Sequence, residues 1–293
     1  MNILFVSHEY GVNGATRSLI DMIDCVRDTQ NMNIQVLIPR NGNAAALLKE
    51  EGIKYKTLLY YPDYCKIDRR PIFLWEMFKE AVNAVAVMRL FYWCKKQKID
   101  IIHSNSTAVD IGARVATHLN LPHVFHIREF MEEDFRLKYR NGNRMKRLIE
   151  QSQYCVFISK VIERKYIKLY NIKKNMTLYN RINTKSYYQR REDLLKNEKI
   201  NLIMTGGIVK GKGVHIAVRA VNEVVKRGLL KVELFVIGNA DKKYLSKIKE
   251  YINEQKLSDS IHIRGFVSDV AAYRKKADVC LVCSDCEGFG RVT

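Results

Sequence analysis

Residues 204–221 read MTGGIVKGKGVHIAVRAV. An apolar run enters a glycine pair, crosses two lysines set between glycines, and passes into a helical pattern. Gly206, Gly211 and Lys212 reproduce most of the phosphate-loop pattern G-x-x-x-x-G-K-[S/T]. The next residue is Gly213, where that pattern carries the hydroxyl that holds Mg²⁺. A glycine-rich, lysine-bearing turn that feeds a helix still suits phosphate, because backbone N–H groups and the helix dipole favour an anion and lysine adds a full charge. The stretch therefore fits a diphosphate held without a metal better than ATP hydrolysis. A purely structural glycine turn between strand and helix is the alternative it leaves open.

Working outward, INLIMTG (200–206) reads as a strand and GVHIAVRAVNEVVKRG (213–228) as a helix. That helix has Val214, Ala217, Val218, Val221, Val224 and Val225 on one face and Gly228 as its stop signal. VELFVIG (232–238), IHIRGFV (261–267) and ADVCLVC (277–283) continue the alternation as strands. The first half repeats it: NILFVS (2–7), a glycine-containing loop HEYGVNGATRS (8–18), a helical LIDMIDCV (19–26), then the strands IQVLIP, IDIIHS, HVFHI and YCVFIS. Continuous apolar strands separated by helices predict an α/β fold with parallel sheets. The polar, aperiodic stretch 183–199 is the expected join, giving domains 1–185 and 186–293.

With 293 residues, 47% of them hydrophobic and four prolines, the chain is globular rather than disordered or fibrous. Its formal charge of +19 points to anionic partners: nucleotides, nucleic acid or an anionic membrane surface. MNILFVSHEY has no export-signal pattern and no charge-free span of membrane length follows. Seven scattered cysteines then read as reduced thiols of a cytoplasmic protein. Cys280, Cys283 and Cys286 have a ligand-like spacing, but they sit on a strand entering a loop with no fourth ligand, so no metal is expected. The apolar, aromatic helix 72–94 reads as packed on the first sheet or as touching a membrane interface. The basic run RLKYRNGNRMKR (136–147) reads as a solvated face or a site for anionic lipid.

Several pieces taken together resemble the retaining glycosyltransferases of the GT-B fold, glycosyltransferase family 4. GGIVKGKG, IGNAD, GFVSDV and ADVCLVCSDCEGFGRVT stand in the order and spacing of that family's G-R-x-x-x-x-K-G, G-N, G-F-V-x-D and A-D…E-G-F-G-x-V motifs. NGATRSLIDMI, HVFHIREF and TLYNRIN resemble its first-domain elements. The resemblance implies two Rossmann-like domains around a cleft that holds a nucleotide sugar, a metal-independent transfer, and a glycan or lipid-linked acceptor in cell-surface polysaccharide synthesis. It assigns His126 and Glu287 to the reaction centre. Gly14, Arg17, Gly207, Lys212 and Arg291 fall to the donor phosphates, and Gly238, Phe266, Val267, Gly288, Phe289 and Gly290 to the nucleotide and sugar, with the Gly288–Gly290 turn opening a helix. Lys212 would carry the leaving diphosphate. No cofactor is implied, the nucleotide sugar being substrate.

The family's phosphate-loop arginine is Gly207 here, with Lys210, Arg291 or Arg181 as candidate replacements. The usual Gly-Ile-Asp is Arg181-Ile182-Asn183. The family's second glutamate would fall two positions past Thr293, so the resemblance implies a truncated chain with weak donor binding. Arg128 and Glu129 read as a mutual ion pair. The +19 charge fits a peripheral enzyme on the inner membrane face. Two rival readings are a degenerate, non-catalytic GT-B protein that binds nucleotide sugar and a basic nucleic-acid-binding protein. For the latter the sequence offers no motif and no interleaved aromatics.

Overall fold

The structure is a computed structural model that describes the chain apart from residues 28–31, 68–71, 182–198, 229, 268 and 291–293. Two compact units result, Met1–Arg181 and Ile182–Thr293. The expected join at 185/186 lies outside the described residues.

The first unit is built on β1 (Asn2–Val6), β2 (Asn33–Ile38), β3 (Lys54–Thr57), β4 (Tyr64–Lys66), β5 (Ile101–Ser104), β6 (His123–Ile127), β7 (Leu137–Tyr139), β8 (Tyr154–Phe157) and β9 (Asn175–Thr177). Its helices are α1 (Gly14–Arg27), α2 (Asn43–Glu50), α3 (Phe73–Lys96), α4 (Ile111–Leu119), α5 (Glu132–Phe135), α6 (Gly142–Gln151) and α7 (Lys160–Leu169). Seven strands form one parallel sheet in the order β3-β2-β1-β5-β6-β8-β9. β4 and β7 pair antiparallel outside it.

The apolar run of β1 is buried on both faces. Ile3 and Phe5 pack with Leu19, Ile20 and Ile23 of α1. Leu4 and Val6 pack with Ala86, Val87 and Leu90 of α3 and Ile111 and Val115 of α4. Alternation along a strand sends successive side chains to opposite faces, and helices cover both, which is why this strand reads as continuously apolar.

The second unit carries β10 (Lys199–Thr205), β11 (Lys231–Ile237), β12 (Ile261–Gly265) and β13 (Val279–Cys280) in a parallel sheet of order β12-β11-β10-β13. Met204, Leu234 and Val236 meet the helices Val214–Arg227 and Lys242–Glu254 on one face. The first of these helices ends on Gly228 in the left-handed region, as expected. Its buried face differs: Asn222 is buried and Val225 is 38% exposed. Asn222 donates to Tyr251 Oη at 2.9 Å and to Gln255 Oε1 at 3.3 Å, so the neighbouring helix supplies the partners its burial requires. β13 is shorter than the strand expected over 277–283, and the chain beyond Cys280 is irregular.

In both sheets the strand order reverses beside the first strand, at β1/β5 and at β10/β13. In open α/β sheets the crevice at the carboxyl ends of such a pair receives ligands.

Candidate active site

In the second unit the reversal point falls on the glycine turn. β10 delivers Thr205, Gly206 and Gly207, a single 3₁₀ turn follows at Lys210–Lys212, and the Val214–Arg227 helix begins. Gly213 sits at φ +70°, and a Cβ there would lie 1.9 Å from the carbonyl oxygen of Cys283. The turn is therefore pressed against the loop that leaves β13, an approach only glycine permits. This is the physical reason for the departure from the phosphate-loop pattern: a hydroxyl side chain does not fit at 213. The Asp285 N–H donates to the Gly211 carbonyl at 3.1 Å and fastens the same two loops.

That contact brings Glu287 to Lys212. Lys212 Nζ lies 2.5 Å from Glu287 Oε1, and Ser284 Oγ donates to the same oxygen at 2.7 Å. Oε2 has no protein partner among the described residues. The pair is half-buried, with side-chain exposures of 32% and 25%. Thr205, Gly206, Gly207, Lys212 and Ser284 line one small cavity at this edge.

The backbone departs from the sequence reading. Gly206 N–H donates to Ile237, Ile208 to Asn239, Val209 to Gly207, Lys212 to Val209 and Gly213 to Lys210. Most of the amides expected to cradle phosphate are thus spent inside the protein, because the loop runs on as a bridge between Ile208 and Ala240. Lys212, more than an amide nest, is what the turn offers an anion.

The remaining second-unit positions divide. Gly238, at φ +152°, would put a Cβ 1.8 Å from the Gly206 carbonyl, so packing between the β10 and β11 loops accounts for its residue type. At Gly207 a Cβ meets nothing closer than 3.9 Å. Phe266 is 70% exposed after β12, with Val267 half-buried beside it. Gly288, Phe289 and Gly290 follow Glu287 as a bend, and the helix expected to open from them would run into residues outside the described ones. Arg291 lies outside the described residues. Arg181, an alternative cation, is exposed and donates to Cys25 Sγ at 3.3 Å.

In the first unit, Asn13 caps α1 by accepting from the N–H groups of Ala15 and Thr16, both at 3.1 Å. This leaves Gly14 and Arg17 exposed on the first helical turn. His126, near the end of β6, is only 2% exposed. It lies between His103 and Arg128. Burial, then the Arg128 charge and His103, push its pKa well below the usual imidazole value. A guanidinium only donates, so at the 3.3 Å contact Nδ1 accepts and the proton sits on Nε2, which is buried without a partner. Neutral His126 is thus a hydrogen-bond donor and not a base.

Arg128 and Glu129 do not pair, contrary to expectation. Arg128 donates to Asn105 Oδ1 at 2.9 Å and Asn180 Oδ1 at 2.8 Å. Glu129 accepts from Ser106 and, at 3.4 Å, Thr107. Adjacent side chains near a strand end face opposite ways, so each found its own partners. The network continues through Tyr139 to Thr107 and Tyr166, none of which the sequence singled out. The polar run SNST at the end of β5 was its visible signal.

Among the described residues no group of three His, Cys, Asp or Glu side chains is arranged to hold a metal, and no helix is long and apolar enough to cross a membrane.

Comparison with known proteins agrees with this architecture. The Glycosyltransferase Family 4 model matches residues 12–186, and the Glycosyl transferases group 1 model matches residues 185–293. No curated protein matches the sequence significantly. Among solved structures, HepE of Anabaena in complex with UDP and glucose superposes with a TM-score of 0.77 at 19% identity, over 100% of this chain and 77% of its own. The lipopolysaccharide outer core galactosyltransferase WaaB, in its apo form, gives 0.72 at 16%, over 100% and 76%. A mutant of S. aureus TarM in complex with Fondaparinux, alpha-GlcNAc-glycerol and UDP gives 0.69 at 11%, over 98% and 82%. At these identities the likeness shows the fold. The family matches carry the assignment, and the chain belongs to Glycosyltransferase Family 4, a glycosyltransferase with two Rossmann-like units of the GT-B type.

Proposed function

We propose that the chain transfers a sugar from a nucleotide-diphosphate donor to a glycan or lipid-linked acceptor, with retention and without a metal, in cell-surface polysaccharide synthesis. The observation that carries this reading is the Lys212–Glu287 contact at the β10/β13 reversal point. In the reaction the bond from the anomeric carbon to phosphate oxygen breaks with its electron pair on the diphosphate. The acceptor oxygen bonds to that carbon, and its proton passes to the released diphosphate. Lys212 stabilises the charge that grows there, as a preorganised cation does. Glu287 turns Oε2 towards the sugar, and Phe266 and Val267 edge the base. UDP is the first nucleotide to try, because HepE and TarM are described with UDP. The test is turnover of radiolabelled UDP-, GDP- and ADP-sugars with a panel of acceptors, the anomeric configuration of the product being read by NMR. Transfer lost in Lys212→Ala and Glu287→Ala supports the reading. Donor binding without transfer or hydrolysis would replace it with that of a non-catalytic binder.

We infer further that the first unit meets an anionic membrane. Ile72, Phe73 and Leu74 are more than 70% exposed at the amino-terminal end of α3, and Trp75, Met77 and Phe78 are about half exposed. Arg144, on α6, pairs with Glu80 of α3 at 2.7 Å. Lys146 and Arg147 are exposed on α6, the helix that this contact ties to α3. Apolar side chains flanked by lysine and arginine suit the headgroup boundary of anionic lipid. Flotation with vesicles of anionic lipid, compared with zwitterionic ones, tests this. Equal binding to both, or none, refutes it.

A further inference from the structure

We propose that Arg274 is a donor-diphosphate ligand of this enzyme, the second cation of the site; this rests on the donor reading of the second unit given above. A nucleoside diphosphate brings two negative charges and leaves with more. Lys212 alone does not balance them, because Glu287 already holds its ammonium. Another cation must reach the carboxyl edge of β10.

The Val270–Lys276 helix supplies it. Its side chains tilt back towards its own amino terminus, and that terminus lies at the carboxyl edge of the parallel sheet. Arg274 follows this direction: Nη2 donates to Thr205 Oγ1 at 3.3 Å. Thr205 is the last residue of β10 and lines the same cavity as Gly206, Gly207 and Lys212. The guanidinium therefore touches a residue of the cavity lining that also includes Lys212. A planar fork of N–H donors matches phosphate oxygens better than an ammonium does. Arg274 was not among the residues the sequence marked, since nothing in VSDVAAYRKK distinguishes one basic residue from the next.

Gly207 makes the proposal testable by rescue. A Cβ there makes only ordinary contacts, with Val209 Cγ2 at 3.9 Å and the Asn239 carbonyl oxygen at 4.0 Å, and Gly207 lines the same cavity as Thr205 and Lys212, so an arginine placed at 207 starts beside them. The experiment is titration calorimetry of the full chain with inorganic pyrophosphate at fixed ionic strength, for wild type, Arg274→Gln, Lys212→Ala and Arg274→Gln/Gly207→Arg. Melting curves run on each variant. Arg274→Gln should weaken pyrophosphate by roughly tenfold or more, as expected for a charge-assisted contact. It should also flatten the salt dependence, and Gly207→Arg should restore both. A structural role for Arg274 would not be rescued from position 207. Should Arg274→Gln fail to fold, Arg274→Lys replaces it, with partial weakening expected. Unchanged affinity in the Arg274 variants while Lys212→Ala weakens binding would overturn this inference and leave the donor site standing. Unchanged affinity in both would overturn the donor site with it.

Discussion

Each unit holds a cluster of opposite charges, and the two are embedded differently. In the first, the side chains of Asp63 and Asp110 are fully buried, and Arg144 meets them at 3.0 and 2.7 Å while Arg140 approaches Asp63 at 3.4 Å. In the second, Lys212 and Glu287 are as close but keep a quarter to a third of their surface. A buried pair exchanges water for partners once, during folding, and breaking it strands a charge. A half-exposed pair contributes little to stability and can exchange partners with a ligand. The first cluster ties the β4–β7 strand pair and α6 to α3 and α4, and the second stands open at a sheet edge. The difference separates charges that hold the fold from charges free to do chemistry.

That contrast breaks if Arg144→Ala is harmless. It should destabilise the first unit by about 3–5 kcal/mol, leaving two buried carboxylates underpaired. Urea unfolding followed by hydrogen exchange, unit by unit, reads the effect, and the second unit's protection should stay unchanged. Lys212→Ala should do the reverse: transfer falls roughly 10²–10³-fold, while stability moves by less than about 1 kcal/mol. Initial rates with labelled donor beside a melting curve separate the two. A loss of stability matching the loss of activity would erase the distinction.

Gly213→Ala sharpens it further. The Cβ collides with the Cys283 carbonyl and φ is left-handed, so the second unit should lose at least about 2 kcal/mol and the Lys212–Glu287 contact with it. Circular dichroism melts report the first effect and pyrophosphate affinity the second.

The pH response belongs to the first unit. Burial, together with the neighbouring Asp110 charge, raises the Asp63 pKa from 3.8 to about 7 despite Arg144 and Arg140. The folded state holds this proton more tightly than the unfolded one, so the contribution is fully present below about pH 4 and is lost as pH rises through 7. Chemical denaturation between pH 5 and 8.5 should show the first unit weakening with pH, and Asp63→Asn should flatten that slope. The smallest effect is at Gly207→Ala, where a Cβ with only ordinary contacts at 3.9 Å and beyond predicts a stability change within about 0.5 kcal/mol. A large loss there would mean that the loop is packed more tightly than its geometry allows.

Particular residues show how far the sequence could be read. The Val214–Arg227 helix and its glycine stop were legible because periodicity and chain reversal are local properties. The fate of the basic run 136–147 was not. Arg140 and Arg144 are drawn from solvent by Asp63, 77 and 81 positions earlier, whereas Lys138, Lys146 and Arg147 remain exposed as expected. His126 was named at the right strand end, but its depth is set by α/β packing around it.

The sequence by itself determined the alternation of strands and helices, the glycine turn at the head of the second unit and the residue types gathered near it, because these depend on neighbours a few positions apart. Only the tertiary structure decided that β13 lies beside β10. That adjacency presses Cys283 onto Gly213 and sets Glu287 against a lysine 75 positions away. It arises from strand order, which side-chain periodicity does not encode: every strand of a parallel sheet presents the same apolar pattern, and packing against the helices selects its neighbours.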